Sequence, residues 1–306
     1  MSWVVRDEVL RAIERRKPVV AFESTVLTHG LPYPESRELA LRVEAIAREE
    51  GCVPATIGIL DGVIHVGMSP DEIDALASGG SAFKASGFDL PFIVASGRSA
   101  GTTVSGTLAI AERAGIHVFA TGGIGGVHRG ADETFDISHD LQSLARSRVI
   151  TVCAGAKAIL DLPKTLEYLE TSGVCVIGYR TSRFPAFYYR DSGIPLDYRA
   201  DSVGEIARVF AVREQLGLEG GILVAAPVPE ESEFPASSVN EAIERALSEA
   251  AERGVRGKGV TPFLLARLAE ITEGRSIDTN LALLENNARV GAGIAVAVAG
   301  HHQHHS

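Results

Sequence analysis

Three cysteines in 306 residues, Cys52, Cys153 and Cys175, leave an odd count and no paired ligand spacing. That argues against a disulfide framework or a cysteine-based metal site. Each lies in or beside an apolar run, so buried free thiols in a reducing compartment are expected. Positive charge is also in short supply: 29 Lys and Arg stand against 39 Asp and Glu, a formal charge of −10. A surface that tracks a phosphate backbone needs the opposite balance, so no polymeric nucleic acid is expected as a partner. A small anion could still bind in a locally positive pocket. Long apolar runs are missing too. Val19 to Phe22 is too short for a signal-peptide core behind the mixed charges of Ser2 to Arg16, and Val290 to Gly300 falls well short of the ~20 residues that cross a bilayer. We therefore expect no membrane partner and a cytoplasmic location. No internal repeat, low-complexity linker or charge block divides the chain. One domain over residues 1–300 follows, with the His-rich tail 301–306 read as a disordered terminus.

Hydrophobic residues make up 45% and charged residues 22%, enough for a substantial buried core. Strand-like and helix-like segments alternate along it. Strands are predicted at Pro18 to Phe22, Pro91 to Ala95, His117 to Ala120, Val149 to Cys153, Val174 to Tyr179 and Gly221 to Ala225. Ala55 to Leu60 and Val63 to Val66 read as a hairpin about Asp61-Gly62, a pair that permits the positive φ of a tight turn. Helices are predicted at Arg6 to Arg16, Glu35 to Glu50, Val104 to Ala114, His139 to Ser147, Pro163 to Thr171, Ser202 to Leu216, Val239 to Arg253, Pro262 to Ile271 and Leu281 to Val298. Another starts at Ser69-Pro70-Asp71-Glu72, an N-cap, a first-turn proline and two acids. Short apolar strands between helices imply an α/β fold: three α/β/α layers around a largely parallel, mixed sheet.

The stretch from Ala120 to Lys157 concentrates the chemistry. Glycines 122, 123, 125, 126 and 130 follow a predicted strand, and such a loop lets backbone N–H groups approach an anion. It is neither a Walker loop nor a dinucleotide fingerprint, and a tight connection would use the same glycines. His128 and Arg129 add a donor and a fixed positive charge. Asp136 and Asp140 flank Ser138. If Ser138 caps the next helix, Asp140 falls in its first turn and Asp136 just before it, which is helix capping and dipole compensation; the alternative gives one carboxylate a hard divalent cation and the other a sugar hydroxyl. With no Cys or His cluster nearby, zinc is disfavoured. Lys157 sits among small and apolar neighbours in Ala-Gly-Ala-Lys-Ala-Ile-Leu. A desolvated ammonium loses its proton more easily, the usual route to an imine-forming amine; a snorkelling surface lysine is the alternative. Glu23 closes the first core strand, where open α/β sheets bind ligands, and could act as a general acid or simply cap the loop. Lys84 and the run Gly101-Thr102-Thr103-Val104 could add a cation and phosphate donors. These features suit a phosphorylated sugar better than a protein partner.

Five segments carry a resemblance: FESTVLTHGLPYP, VPATIGILDGVIHVG, GTTVSGTLAIAERAGIHVFATGGIGGVHRGADETFDISHDL, TVCAGAKAILDLPKTLEYLET and TPFLLARLAEITEGRSIDTNLALLENNA. Together they resemble the pseudouridine-5′-phosphate glycosidase family, which includes proteins linked to indigoidine synthesis. They run from about residue 17 to residue 290. The resemblance implies reversible cleavage of pseudouridine 5′-phosphate to uracil and ribose 5-phosphate, one divalent metal (Mn2+), no organic cofactor, and a cytoplasmic homotrimer. It makes Lys157 the imine-forming nucleophile, Glu23 the proton donor and Asp136 the metal ligand. It puts Lys84, Val104, Ser138 and Asp140 at substrate-binding positions, with Thr103 and His139 beside them. Thr121 and His128 correspond to phosphate-region residues, and Asn280 to a uracil contact. The aromatic and basic segment Arg183 to Tyr198 departs from the pattern and is read as lining the base pocket or a subunit contact. The competing readings are another lysine-imine enzyme on phosphorylated sugars, such as a class I aldolase, and a non-catalytic nucleotide-binding protein.

Overall fold

Strands such as Val19–Phe22 and Ile222–Ala225 are buried at every position. An unbroken apolar run of this kind is stable only in a sheet covered on both faces. The computed structural model describes residues 3–80, 82–255 and 259–303, the side chains of 302 and 303 excepted. Its strands are β1 (Trp3–Val5), β2 (Val19–Phe22), β3 (Val53–Leu60), β4 (Val63–Val66), β5 (Phe83–Ala85), β6 (Ala100–Thr102), β7 (Val118–Ala120), β8 (Ile150–Cys153), β9 (Cys175–Tyr179), β10 (Tyr198–Ala200) and β11 (Ile222–Ala225). They join one sheet in the order β1-β4-β3-β2-β7-β8-β11-β9-β10, with β6 on β3 and β5 on β6. Only β3 with β4 and β3 with β6 run antiparallel among the named strands.

The helices are α1 (Asp7–Glu14), α2 (Glu35–Glu49), α3 (Pro70–Ser78), α4 (Leu90–Ala95), α5 (Val104–Ala114), α6 (Ala131–Thr134), α7 (His139–Arg146), α8 (Leu162–Thr171), α9 (Val203–Gln215), α10 (Ala236–Glu252), α11 (Val260–Ile271) and α12 (Arg275–Gln303). Alternate strand residues serve opposite layers, as the two-residue side-chain period requires. Val20, Phe22, Ala120 and Val152 pack with α2, α9 and α12. Ala21, Phe119 and Cys153 pack with α1, α5, α7 and α8. The three-layer α/β expectation holds.

The hairpin forms as predicted, with Asp61 and Gly62 both at positive φ, +47° and +76°. Ser69 closes a full capping box with Glu72 on α3. Pro91 to Ala95, expected as a strand, is instead most of α4. Pro91 occupies the first helical turn, and Ser86 donates to the Asp89 carboxylate through its N–H (3.0 Å) and hydroxyl (2.8 Å) just ahead of it. Phe92 is left exposed and only Ile93 is buried inside, so the apolar run fits one helical face. The last helix is longer than expected. It starts at Arg275 and runs through His301 to Gln303, so the part of the tail read as disordered is helical there; residues 304–306 lie outside the described residues. α12 is long and apolar enough to cross a membrane by length and composition, yet half of that window is buried in the protein. It crosses the centre of one sheet face, where Gly291 lies against Ala120 and Val20. A Cβ there would sit 3.0 Å from Ala120 Cβ. Cys52 and Cys153 are buried and Cys175 half-buried, all free thiols, and burial pushes the first two up to about 12.

Candidate active site

β2, β7 and β8 are parallel neighbours in the centre of the sheet, so their C-terminal ends open at one edge. Glu23 follows β2, Thr121 follows β7, and Lys157 lies just past β8. Residues separated by more than a hundred positions are brought together by strand pairing alone. The Thr121 hydroxyl donates to Glu23 Oε1. Thr121 itself is 1% exposed, and its hydroxyl faces Glu23 instead of lining the cleft.

The glycine loop between β7 and α6 runs beside residues 154–157. Ala154 N–H donates to Gly122 O (2.9 Å), Ile124 N–H to Gly155 O (3.1 Å) and Lys157 N–H to Ile124 O (3.2 Å). These bonds prolong the β7–β8 pairing and hold Lys157 at the cleft. Further N–H groups of the loop are also engaged by protein: Gly125 with Asp140 Oδ2 (2.9 Å) and Val127 with Thr165 Oγ1 (3.0 Å). The glycines answer a steric need. A Cβ at Gly125 would lie 2.7 Å from Ser138 Cβ and 2.8 Å from Asp140 Oδ2.

Ser138 is the N-cap of α7 and accepts from Asp140 N–H (3.2 Å). The helix-cap reading therefore holds for Ser138. The Asp140 carboxylate turns away from its own helix. Its Oδ1 accepts from Ser105 N–H in the first turn of α5 (3.0 Å), opposite the Gly125 bond on Oδ2. A buried charge held by two N–H groups, one at a helix N-terminus, is stabilised where it stands. Asp136 differs. It is half-buried on the approach to α7, and its carboxylate makes no side-chain hydrogen bond to any described residue. No cluster of three or more His, Cys, Asp or Glu suited to a metal occurs among the described residues.

Two lobes of one cleft meet at Glu23, Thr25, Lys84, Lys157 and Thr261. The larger, about 290 Å3, is lined by Thr103, Val104, His128, Asp136, Ser138, His139 and Asp140. The smaller is lined by His29, Gly122, Gly123, Phe187, Leu265, Asn280 and Leu284. Glu23, Lys84, Thr103, Val104, His128, Asp136, Ser138, His139, Asp140, Lys157 and Asn280 thus line one cleft, and Thr121 lies behind it. Lys84 enters from β5, a strand the sequence did not announce. Arg129, expected to reinforce an anion site, instead ion-pairs with Glu244 on α10 and leaves the cleft. The lining residues that the sequence reading missed include Thr25, His29 and Thr261. His29 lies on a single π-helical turn, Val26–Gly30, a feature that often marks functional sites, and its Nδ1 bonds Thr28 Oγ1 at 2.7 Å. Phe187, from the aromatic segment Arg183 to Tyr198, lines the smaller lobe. Its φ of +62° turns the chain so that its ring packs on Gly123.

Burial raises the pKa of Glu23. Lys157, the Thr121 hydrogen bond and Lys84 pull the other way, and Asp140 adds to the rise. Glu23 and Lys157 are therefore close enough to sense one another. Burial lowers the pKa of His128, opposed by Asp136 and aided by Lys157 and Lys84. His29 is lowered by burial and then by Lys84. The cleft combines an acid that burial makes harder to ionise, a lysine beside it and two imidazoles that burial makes harder to protonate.

Known proteins share this architecture. The sequence profile of the family described as Indigoidine synthase A like protein matches residues 8–297. A pseudouridine-5′-phosphate glycosidase from Caldanaerobacter subterraneus is 56% identical over 290 residues, 95% of this chain and 94% of that one. An indigoidine synthase A-like protein from Thermotoga maritima superposes with a TM-score of 0.90 at 41% identity, covering 98% of this chain and 97% of the other. The prealnumycin C-glycosynthase AlnA, solved in complex with ribulose 5-phosphate, superposes with a TM-score of 0.92 at 38% identity over 99% of both chains. This chain belongs to the pseudouridine-5′-phosphate glycosidase, or indigoidine synthase A-like, family.

Proposed function

We propose that this protein is a pseudouridine-5′-phosphate glycosidase. It would cleave the bond between ribose C1′ and uracil C5 reversibly, giving uracil and ribose 5-phosphate. The carrying observation is the meeting of Glu23 and Lys157 past the C-terminal ends of β2 and β8, on either side of β7, beside a polar lobe with Lys84 and His128. The 56% identity to a relative of that name supports the same reaction.

The chemistry accounts for the residue types. A C–C glycoside has no heteroatom leaving group, so the two-carboxylate scheme of ordinary glycosidases does not serve. In our reading Glu23 donates its proton to the ring oxygen as the C1′–O4′ bond opens, and the Lys157 amine bonds C1′. The C1′–C5 bond then breaks. Uracil C5 keeps the electron pair and takes up a proton, leaving an iminium between C1′ and Lys157. Water adds to C1′, and ribose 5-phosphate leaves as the amine is restored. Lys84 and His128, with Thr103, Val104, Ser138, His139 and Asp140 around them, would hold the phosphate and sugar, giving binding energy remote from the reacting carbon. Asn280 in the smaller lobe would contact uracil.

The donor set suits a hard divalent cation such as Mn2+ only in part. Asp136 supplies one open carboxylate, and substrate oxygens and water would complete the shell, as such ions accept. A bound cation would add positive charge where the phosphosugar sits. We also propose a homotrimer in the cytoplasm; the exposed rings of Phe88, Phe92 and Phe135 are apolar area that assembly could cover. Sedimentation analysis would reveal a monomer if that is wrong.

Borohydride reduction in the presence of ribose 5-phosphate should fix a covalent adduct on Lys157, located by peptide mass spectrometry. An unmodified Lys157 under turnover conditions overturns the imine route. Uracil release from pseudouridine 5′-phosphate separates this reading from a class I aldolase and from a passive nucleotide binder.

A further inference from the structure

Asn287 lies near the middle of α12, fully buried, about two helical turns beyond Asn280 on the same helix. Its Nδ2 donates to Thr121 O at 2.8 Å and to Gly122 O at 3.3 Å. Its Oδ1 has no hydrogen-bond partner among the described residues. Two carbonyls on one end fix the amide orientation, since the flipped amide would set oxygen against oxygen. Leaving a buried amide oxygen unbonded is unfavourable, so the donor end must repay that cost.

The place of this contact matters. Thr121 N–H still bonds Val152 O (2.9 Å), at the end of the β7–β8 ladder. One residue later the chain departs into the glycine loop. Thr121 is thus the first residue past β7, and its hydroxyl is the one that meets Glu23. Asn287 grips the main chain on that residue and the next.

We propose that Asn287 is a positioning residue: by holding the Thr121 and Gly122 carbonyls it aims the Thr121 hydroxyl at Glu23. The proposal rests on the reading of Glu23 as the general acid. Asn287 does not line the cleft and touches no substrate; it acts through Thr121. Removing it leaves the Thr121 carbonyl without that anchor, so the main chain there is held only by the Val152 and Ala154 bonds and the hydrogen bond to Glu23 weakens. That bond favours the carboxylate, so its loss raises the Glu23 pKa further. The other charged groups that face Glu23 are Lys157, Lys84 and Asp140, on three other segments, and none is touched by the change.

The experiment compares Asn287→Leu, Thr121→Val and the double variant in the uracil-release assay across pH. Each single variant should lower kcat about tenfold or more with KM changed less than about threefold, and should move the alkaline limb of kcat to higher pH. The double variant should be no worse than the poorer single, because both break one chain of contacts. Asn287→Asp, which sets a carboxylate against two carbonyls, should be worse than Asn287→Leu. If Asn287→Leu does not fold, Asn287→Ser replaces it, with the same pH readout. A variant of lower thermal stability whose kcat and pH profile match the parent makes Asn287 merely structural and overturns the proposal. Failure of the underlying reading looks different: Glu23→Gln would then retain its rate.

Discussion

The Asp140 carboxylate reaches back 35 residues to accept the N–H of Ser105 at 3.0 Å. With its other oxygen on Gly125, it ties the start of α5 and the glycine loop to α7 at one buried point. Three walls of the larger lobe therefore depend on one side chain. Asp140→Ala leaves the buried N–H of Ser105 and the half-buried N–H of Gly125 unpaired, each charged hydrogen bond contributing about 1.5–3 kcal/mol. We expect a lowered thermal midpoint together with a loss of kcat/KM of at least about a hundredfold. Asp140→Asn keeps one acceptor and should fall between. Thermal unfolding and steady-state kinetics on the same samples check this.

Glu23 sets the pH dependence. Its carboxyl is raised by burial, so the acid form persists to higher pH than in a free side chain. Activity that needs this proton is full below the raised value and falls as pH rises through it. Glu23→Gln should lower kcat by about 10²–10⁴-fold and remove that limb. A pH profile of kcat with the limb intact in the variant would assign the titration elsewhere.

Asp136 and Asp140 should separate cleanly. The Asp136 carboxylate is free of side-chain hydrogen bonds to described residues, whereas both oxygens of Asp140 are engaged. Asp136→Ala should fold with an unchanged thermal midpoint, bind Mn2+ at least about tenfold more weakly and lose metal-stimulated activity. Titration calorimetry with Mn2+ and a metal-free activity assay measure both. Equal Mn2+ binding by Asp136→Ala would move the cation to other groups.

His128 and Arg129 are adjacent in sequence and opposite in consequence. His128 lines the larger lobe, while Arg129 pairs with Glu244 at the surface. Surface pairs contribute about 0–1 kcal/mol, so Arg129→Ala should change KM for the phosphosugar by less than about twofold. His128→Ala should raise that KM about tenfold or more through loss of a donor. Parallel KM measurements with pseudouridine 5′-phosphate decide the pair.

Much of the architecture is legible in the sequence. Alternation of short apolar strands with amphipathic helices announced the layered sheet, and Asp61-Gly62 and Ser69–Glu72 named their turn and cap, because each is a local preference over a few bonds. Glu23 and Lys157 stood out for the same reason: both follow apolar strands. Pro91 to Ala95 is ambiguous because five apolar residues fit a strand or one helical face, and the Asp89 contacts ahead of Pro91 help choose between them. β5 and β6 are three residues each, too short to show a period, yet β5 delivers Lys84.

Local chemistry thus determined which segments became strands and helices and which residues stood at strand ends. Tertiary structure alone decided that Arg129 would leave the cleft, that Asp140 would bind Ser105 and Gly125, and that Asn287 would hold Thr121. Those contacts join parts of the chain 115, 35, 15 and 166 residues apart. Their energies depend on how layers pack and where strands align, and no window of neighbouring residues encodes that.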